Sequence, residues 1–257
     1  MNRRQARRYP LRPRGLPPRL TGLLAQAPWI RGHRPPAAGE SDGLDPTQCA
    51  LVVVDCQLET LDSVSTAREV VFHTSSAIDM VRRLGGHIVF TRLAFEDSDY
   101  RFAPSTNKQF AALARERPLC NGTSGADLHP SLPVRTDDIV VRKTRLGAFS
   151  TTKLDERLTN LGITTLMVAG IHASGAILST VREAADKDYR LIALSDCIAD
   201  TDTVAQQPLM ELIFPRQAEV ITTSMLERRL HTKDVGGDAR MHADMRASSP
   251  TAHVGRG

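Results

Sequence analysis

The sequence predicts an α/β fold in three layers, with helices on both sides of a six-stranded, mainly parallel sheet. Three observations lead there. Short continuous apolar runs recur along the chain, as strands buried on both faces require. Segments with apolar residues at helical spacing separate these runs. Strand and helix alternate, a pattern that builds a parallel sheet through right-handed crossovers.

Each element has its own signal. Residues 50–54 (ALVVV) form the first strand, and 66–84 carry Val70, Ile78 and Val81 at helical spacing. Residues 87–91 (HIVFT) are the second strand, 107–115 a helix, and 138–142 (DIVVR) the third strand. A helix over 152–161 is marked by Leu154, Leu158 and Leu161, with Gly162 as its stop. Residues 165–169 (TLMVA) are the fourth strand, 174–187 a helix with Ser174 as its N-cap, and 190–195 (RLIALS) the fifth strand. A helix over 204–213 and a short sixth strand at 219–222 complete the pattern, and no internal repeat interrupts it.

The ends differ from the middle. Residues 1–45 are rich in Arg and Pro and read as a disordered extension, 46–230 as the folded domain, and 231–257 as a polar, disordered tail. Residues 1–39 hold nine Arg and no acidic residue, so removing them from 33 basic and 29 acidic residues leaves 24 against 29. The net charge of +4 therefore belongs to the extension, and nucleic-acid binding by the folded domain gets little support. An Arg-rich, acid-free start is compatible with organelle targeting, but it lacks Ser before Ser41 and holds many prolines, which favours a plain extension. The same segment could instead serve as an arm for a polyanion. No apolar run approaches the roughly 18 residues of a membrane helix, so a soluble, cytoplasmic protein is expected. Four cysteines without CxxC spacing read as free thiols.

Ligands of open parallel sheets bind beyond the carboxyl ends of the strands. Those ends collect Asp55, Arg92, Lys143, His172 and Asp196 at one edge. Each also has a purely structural reading: Asp196 can pair with Arg92, and His172 can be a satisfied, half-buried histidine. Asp55 and Lys143 together point more strongly to chemistry. No GxGxxG or GxxxxGK[ST] motif supplies a nucleotide site, no His pair has metal-ligand spacing, and no GxSxG elbow is present, so no cofactor or metal is expected.

Four segments in order carry a resemblance. Residues 50–57 (ALVVVDCQ), with Asp55 and Gln57, resemble the opening D-x-Q motif of the isochorismatase-like hydrolases, the cysteine hydrolase superfamily. Residues 122–128 (GTSGADL) resemble their G-T-x-G-A segment. Lys143 with Gly147-Ala148-Phe149 resembles their Lys motif. Gly170-Ile171 through Ser179-Thr180 and Ala184 resembles their fourth-strand signature. The resemblance implies a Rossmann-like topology, a homo-oligomer and an Asp–Lys–Cys triad. Asp55 and Lys143 match the first two members, but the nucleophile position is Ala176. The thioester route of the family's amidases therefore has no nucleophile here. Cys56 follows Asp55, and side-chain alternation would turn it to the other face; Cys197 has the same relation to Asp196.

Isochorismatases proper also lack the Cys and cleave a vinyl ether with a proton donor and water. The expected site is thus Asp55, Lys143 and Ala176. Gln57, Arg92, Arg145, His172 and Gly175 are expected as contacts to a small, carboxylate-bearing substrate. Residues 93–100 (LAFEDSDY) hold no His, so the zinc site of the nicotinamidase branch is not expected. Two functions follow: an acid–base hydrolase without a cysteine nucleophile, or a pseudoenzyme keeping the fold for binding or assembly.

Overall fold

A computed structural model describes residues 44–231. Its six strands are β1 (Cys49–Val54), β2 (His87–Leu93), β3 (Ile139–Lys143), β4 (Thr165–Ile171), β5 (Arg190–Ala199) and β6 (Glu219–Ile221). They form one sheet in the order β3-β2-β1-β4-β5-β6, and every neighbouring pair is parallel. The helices are α1 (Leu58–Leu61), α2 (Ala67–Arg83), α3 (Asp97–Arg101), α4 (Lys108–Glu116), α5 (Leu154–Asn160), α6 (Leu178–Ala185), α7 (Thr203–Pro208) and α8 (Thr223–His231).

Strand alternation divides the core into two sheets of contact. Leu51, Val53, Phe90, Met167 and Ala169 face Ile78 and Val81 of α2 and Leu226 and Leu230 of α8. Ala50, Val52, Val54, Leu166 and Val168 face Leu154 and Leu158 of α5 and Val181 and Ala184 of α6. Both faces of β1 and β4 are therefore covered, which is why their sequences read as unbroken apolar runs. A smaller cluster around Leu93, Phe95, Tyr100 and Phe110 lies beyond the end of β2.

Several expected boundaries shift. β5 continues to Ala199, past the expected end at residue 195, because its register with β4 jumps between Val168 and Gly170. Asp196 thus lies inside the strand, and the residue that follows the strand is Asp200. The helix expected from Ser174 begins instead as a π-turn, Ala173–Ile177, with His172 at its N-cap position. The helix expected over 204–213 divides at Pro208 into α7 and a π-turn, Leu209–Ile213. Helices α1, α3 and α8 were not expected. Leu44 is buried in the core, so the folded part starts before residue 46. The remainder of the expected N-terminal extension, 1–43, and the tail after 231 lie outside the described residues.

Candidate active site

The strand order reverses between β1 and β4, the place where open α/β sheets bind their ligands. Asp55 follows β1 at this point. Its φ of 53° puts it in the left-handed region, which Asp tolerates better than most residues. That turn swings its carboxylate to Lys143, the last residue of β3, with Oδ2 accepting from Nζ at 2.6 Å. Oδ1 accepts from the Thr91 hydroxyl at 3.0 Å. Both members of the pair are buried. Burial pushes the Asp55 carboxyl above its ordinary value, and the charge and hydrogen bond of Lys143 offset only part of that.

Lys143 spends all three ammonium hydrogens on protein acceptors. Besides Asp55, Nζ donates to the carbonyls of Arg145 at 3.1 Å and Leu146 at 2.8 Å. The loop that supplies these carbonyls is tied to α6. Ala148 N–H donates to the Thr180 hydroxyl, and Phe149 N–H to the Glu183 carboxylate. A β-carbon on Gly147 would overlap that carboxylate, which explains the glycine of the Gly-Ala-Phe motif.

Gln57 lies on the other side of Asp55. It is fully buried, and its amide is committed to backbone: Nε2 donates to the carbonyls of Leu93 and Ala126, and Oε1 accepts from Leu93 N–H at 2.8 Å. Expected as a substrate contact, it instead pins the end of β1 to β2 and to the 122–128 motif.

β4 brings the other wall. Gly170 has a φ of 121°, and a β-carbon there would overlap the backbone of Val54. The Ile171–His172 peptide that follows is cis. His172 lies close to both Asp55 and Asp200. Its Nε2 is 3.2 Å from the Ser63 hydroxyl, which gives its only proton to the Thr60 carbonyl at 2.9 Å. The imidazole must then be the donor, so Nε2 carries a hydrogen. Asp200 accepts from both the backbone N–H and the hydroxyl of Ser174 at 2.7 Å. Burial alone would raise the Asp200 carboxyl, but hydrogen bonds from Ser174 and Asp202 outweigh it and hold it below its ordinary value. Ala176 is 4% exposed, and a β-carbon on Gly175 would meet nothing within 4 Å, so free space adjoins this turn.

Asp55, Lys143 and His172 are thus brought together, with Gly175 and Ala176 on the turn just beyond. Arg92 is not. It alternates with Thr91, whose hydroxyl meets Asp55, and points from the opposite side of β2. Arg145 contributes its carbonyl; its guanidinium stacks over Phe110 at 4.6 Å and donates to the Thr144 carbonyl. Asp196 does not pair with Arg92: it accepts from Thr223 N–H and hydroxyl at the start of α8 and lies 3.8 Å from His73. Ser174 is no simple cap, since its hydroxyl and amide both serve Asp200. Asp200 was missed because the apolar run 190–194 gives no sign that the strand continues past it. Cys56 and Cys197 point into the α2 layer; burial raises both thiols, that of Cys197 to about 12. Among the described residues no group of three or more His, Cys, Asp and Glu is placed to hold a metal.

Fold and site define an α/β protein with a preassembled Asp–Lys centre at the switch point of a parallel sheet. The chain belongs to the isochorismatase family of hydrolases: residues 49–225 match the Isochorismatase domain. The isochorismatase family protein YwoC of Bacillus subtilis (strain 168) is 29% identical over 180 residues, 70% of this chain and 93% of the relative. The ureidoacrylate amidohydrolase RutB of Pantoea ananatis is 31% identical over 183 residues, 62% of this chain and 72% of the relative. An isochorismatase family protein from Burkholderia thailandensis superposes with a TM-score of 0.65 at 27% identity, covering 74% of this chain and 98% of that one.

Proposed function

We propose that the chain hydrolyses a small carboxylate-bearing substrate, with an enol ether as the favoured type, by acid–base chemistry at Asp55 and without a cysteine nucleophile. One observation carries the reading. Asp55 is left as the acid–base group of the centre, because Lys143 has every hydrogen committed and residue 176 has only a methyl group.

Asp55, its carboxyl raised by burial, delivers a proton to the terminal carbon of the enol ether. The resulting oxocarbenium ion takes water at the ether-bearing carbon, and the proton water loses returns to the Asp55 carboxylate. The hemiketal then splits into a ketone and an alcohol. Lys143 stays in place and holds the carboxyl orientation. The free space beside Gly175 supports a substrate seated against this turn.

The full chain assayed on an enol ether carboxylate should lose about 10²–10⁴ in rate on Asp55→Asn. Activity should fall as pH rises through the raised Asp55 value, because the acid form is then lost. Alkylation with iodoacetamide should change little, since Cys56 and Cys197 are buried with raised thiols. An acyl adduct trapped on either sulfur would overturn the reading. Ala176 also favours a second reading, a pseudoenzyme; tight ligand binding with no turnover of enol ethers, esters or amides would select it.

A further inference from the structure

Arg92 is an anomaly. Its guanidinium makes no hydrogen bond or ion pair among the described residues, and its Nη1 is buried without a partner. A buried, unsatisfied donor costs free energy and calls for a partner that protein atoms do not supply. Arg92 lines an open groove of about 430 Å³ on the face of the sheet opposite Lys143, within the roughly 300–1,000 Å³ range of small-molecule sites.

The groove holds a second donor. His129 Nδ1 accepts from Ser131 N–H at 3.2 Å, so the neutral ring carries its hydrogen on Nε2. The remaining walls are apolar: Leu128, Leu132, Val134 and Val140. Val134 is 40% exposed and Val140, on the edge strand β3, is 41% exposed, so their side chains meet solvent. Asp127 stands on the rim but makes no ion pair with Arg92.

We propose that this groove is a second ligand site, separate from the Asp55 centre, for a small amphipathic carboxylate: the carboxylate paired with Arg92 and His129, the apolar body against Val134 and Val140. A guanidinium holds a carboxylate through two parallel hydrogen bonds, which would satisfy the buried Nη1 as well as add charge attraction. The inference does not rest on the catalytic reading, since a chain inert toward every enol ether would still bind at Arg92.

The test is a titration of full-length protein, labelled with carbon-13 in its Val and Leu methyls, with hexanoate and separately with 1-hexanol. Hexanoate should give saturable shifts at Val134, Val140 and Leu132, and hexanol should bind about tenfold more weakly. Arg92→Gln should erase that preference while the Val168 and Val181 methyls stay unchanged. Should Arg92→Gln fail to fold, Val140→Asp, at an already exposed edge position, should block hexanoate by placing a like charge in the groove. Shifts confined to Val54 and Leu178, near the Asp55 centre, would overturn the proposal. So would equal affinity for hexanoate and hexanol, or no saturable shift with either, which would leave only water on the guanidinium.

Discussion

Lys143 is buried away from water, with an acceptor for every hydrogen its ammonium group can offer. Such a pair is strongly asymmetric in its energetics. Lys143→Met would leave Asp55 buried beside a thioether, and a loss of about 3–5 kcal/mol in urea unfolding is expected. The double change Asp55→Asn with Lys143→Met removes both ionisable groups and should recover most of that loss, without activity. The single Asp55→Asn assay therefore needs a melting curve beside it. At this scale the centre was half legible. Asp55 and Lys143 stand out because each closes a run of buried aliphatics. Gln57 was visible as a motif, but its role was not, because a buried amide serving backbone and an amide serving a ligand look alike in sequence. Arg92 was grouped with the site from its position along the chain; alternation by a single residue sends it to the other face.

Among the elements, the junction of β4 with β5 decides where the second carboxylate of the site falls. Gly170 permits the close approach of β4 to Val54, and past it the pairing with β5 resumes with Ile198 opposite Gly170, although Ala193 still faces Val168. Residues 194–197 are absorbed by this shift, so the residue that follows the strand is Asp200 instead of Asp196. Sequence periodicity carries no mark of such an irregularity, whereas the straight strands β1 to β4 were legible to within a few residues. Gly170→Ala would combine an unfavourable φ with an overlap on Val54, and a loss of about 2 kcal/mol or more in stability is expected. Asp200 offers a pH test. Its folded-state value is depressed, so its contribution is present above the ordinary aspartate value of about 4 and is lost as pH falls through its folded-state value. The stability gap between the native chain and Asp200→Asn should be open at neutral pH and close in acid, as read from thermal midpoints across a pH series.

For the whole molecule, charge and chemistry are segregated along the chain. Nine Arg occupy residues 1–39, and the rest is net acidic. Deleting 1–39 should abolish retention on a heparin column at neutral pH, while the full chain should be retained in a salt-sensitive manner. The three-layer architecture was legible as a whole because both faces of the central strands are covered. At the switch point sit Asp55 and Lys143, with Ala176 on the turn beyond. The Ala176 methyl occupies a turn whose neighbours are already locked by Asp200, His172 and Gly170. Electrophilic tags that map reactive thiols should therefore pass over this protein unmarked at that turn. Ala176→Cys should convert it, with no other change, into one that chloroacetamide labels at residue 176, as peptide mass mapping would show. The native chain is in that sense a ready-made blank for covalent labelling of its own Ala176→Cys form.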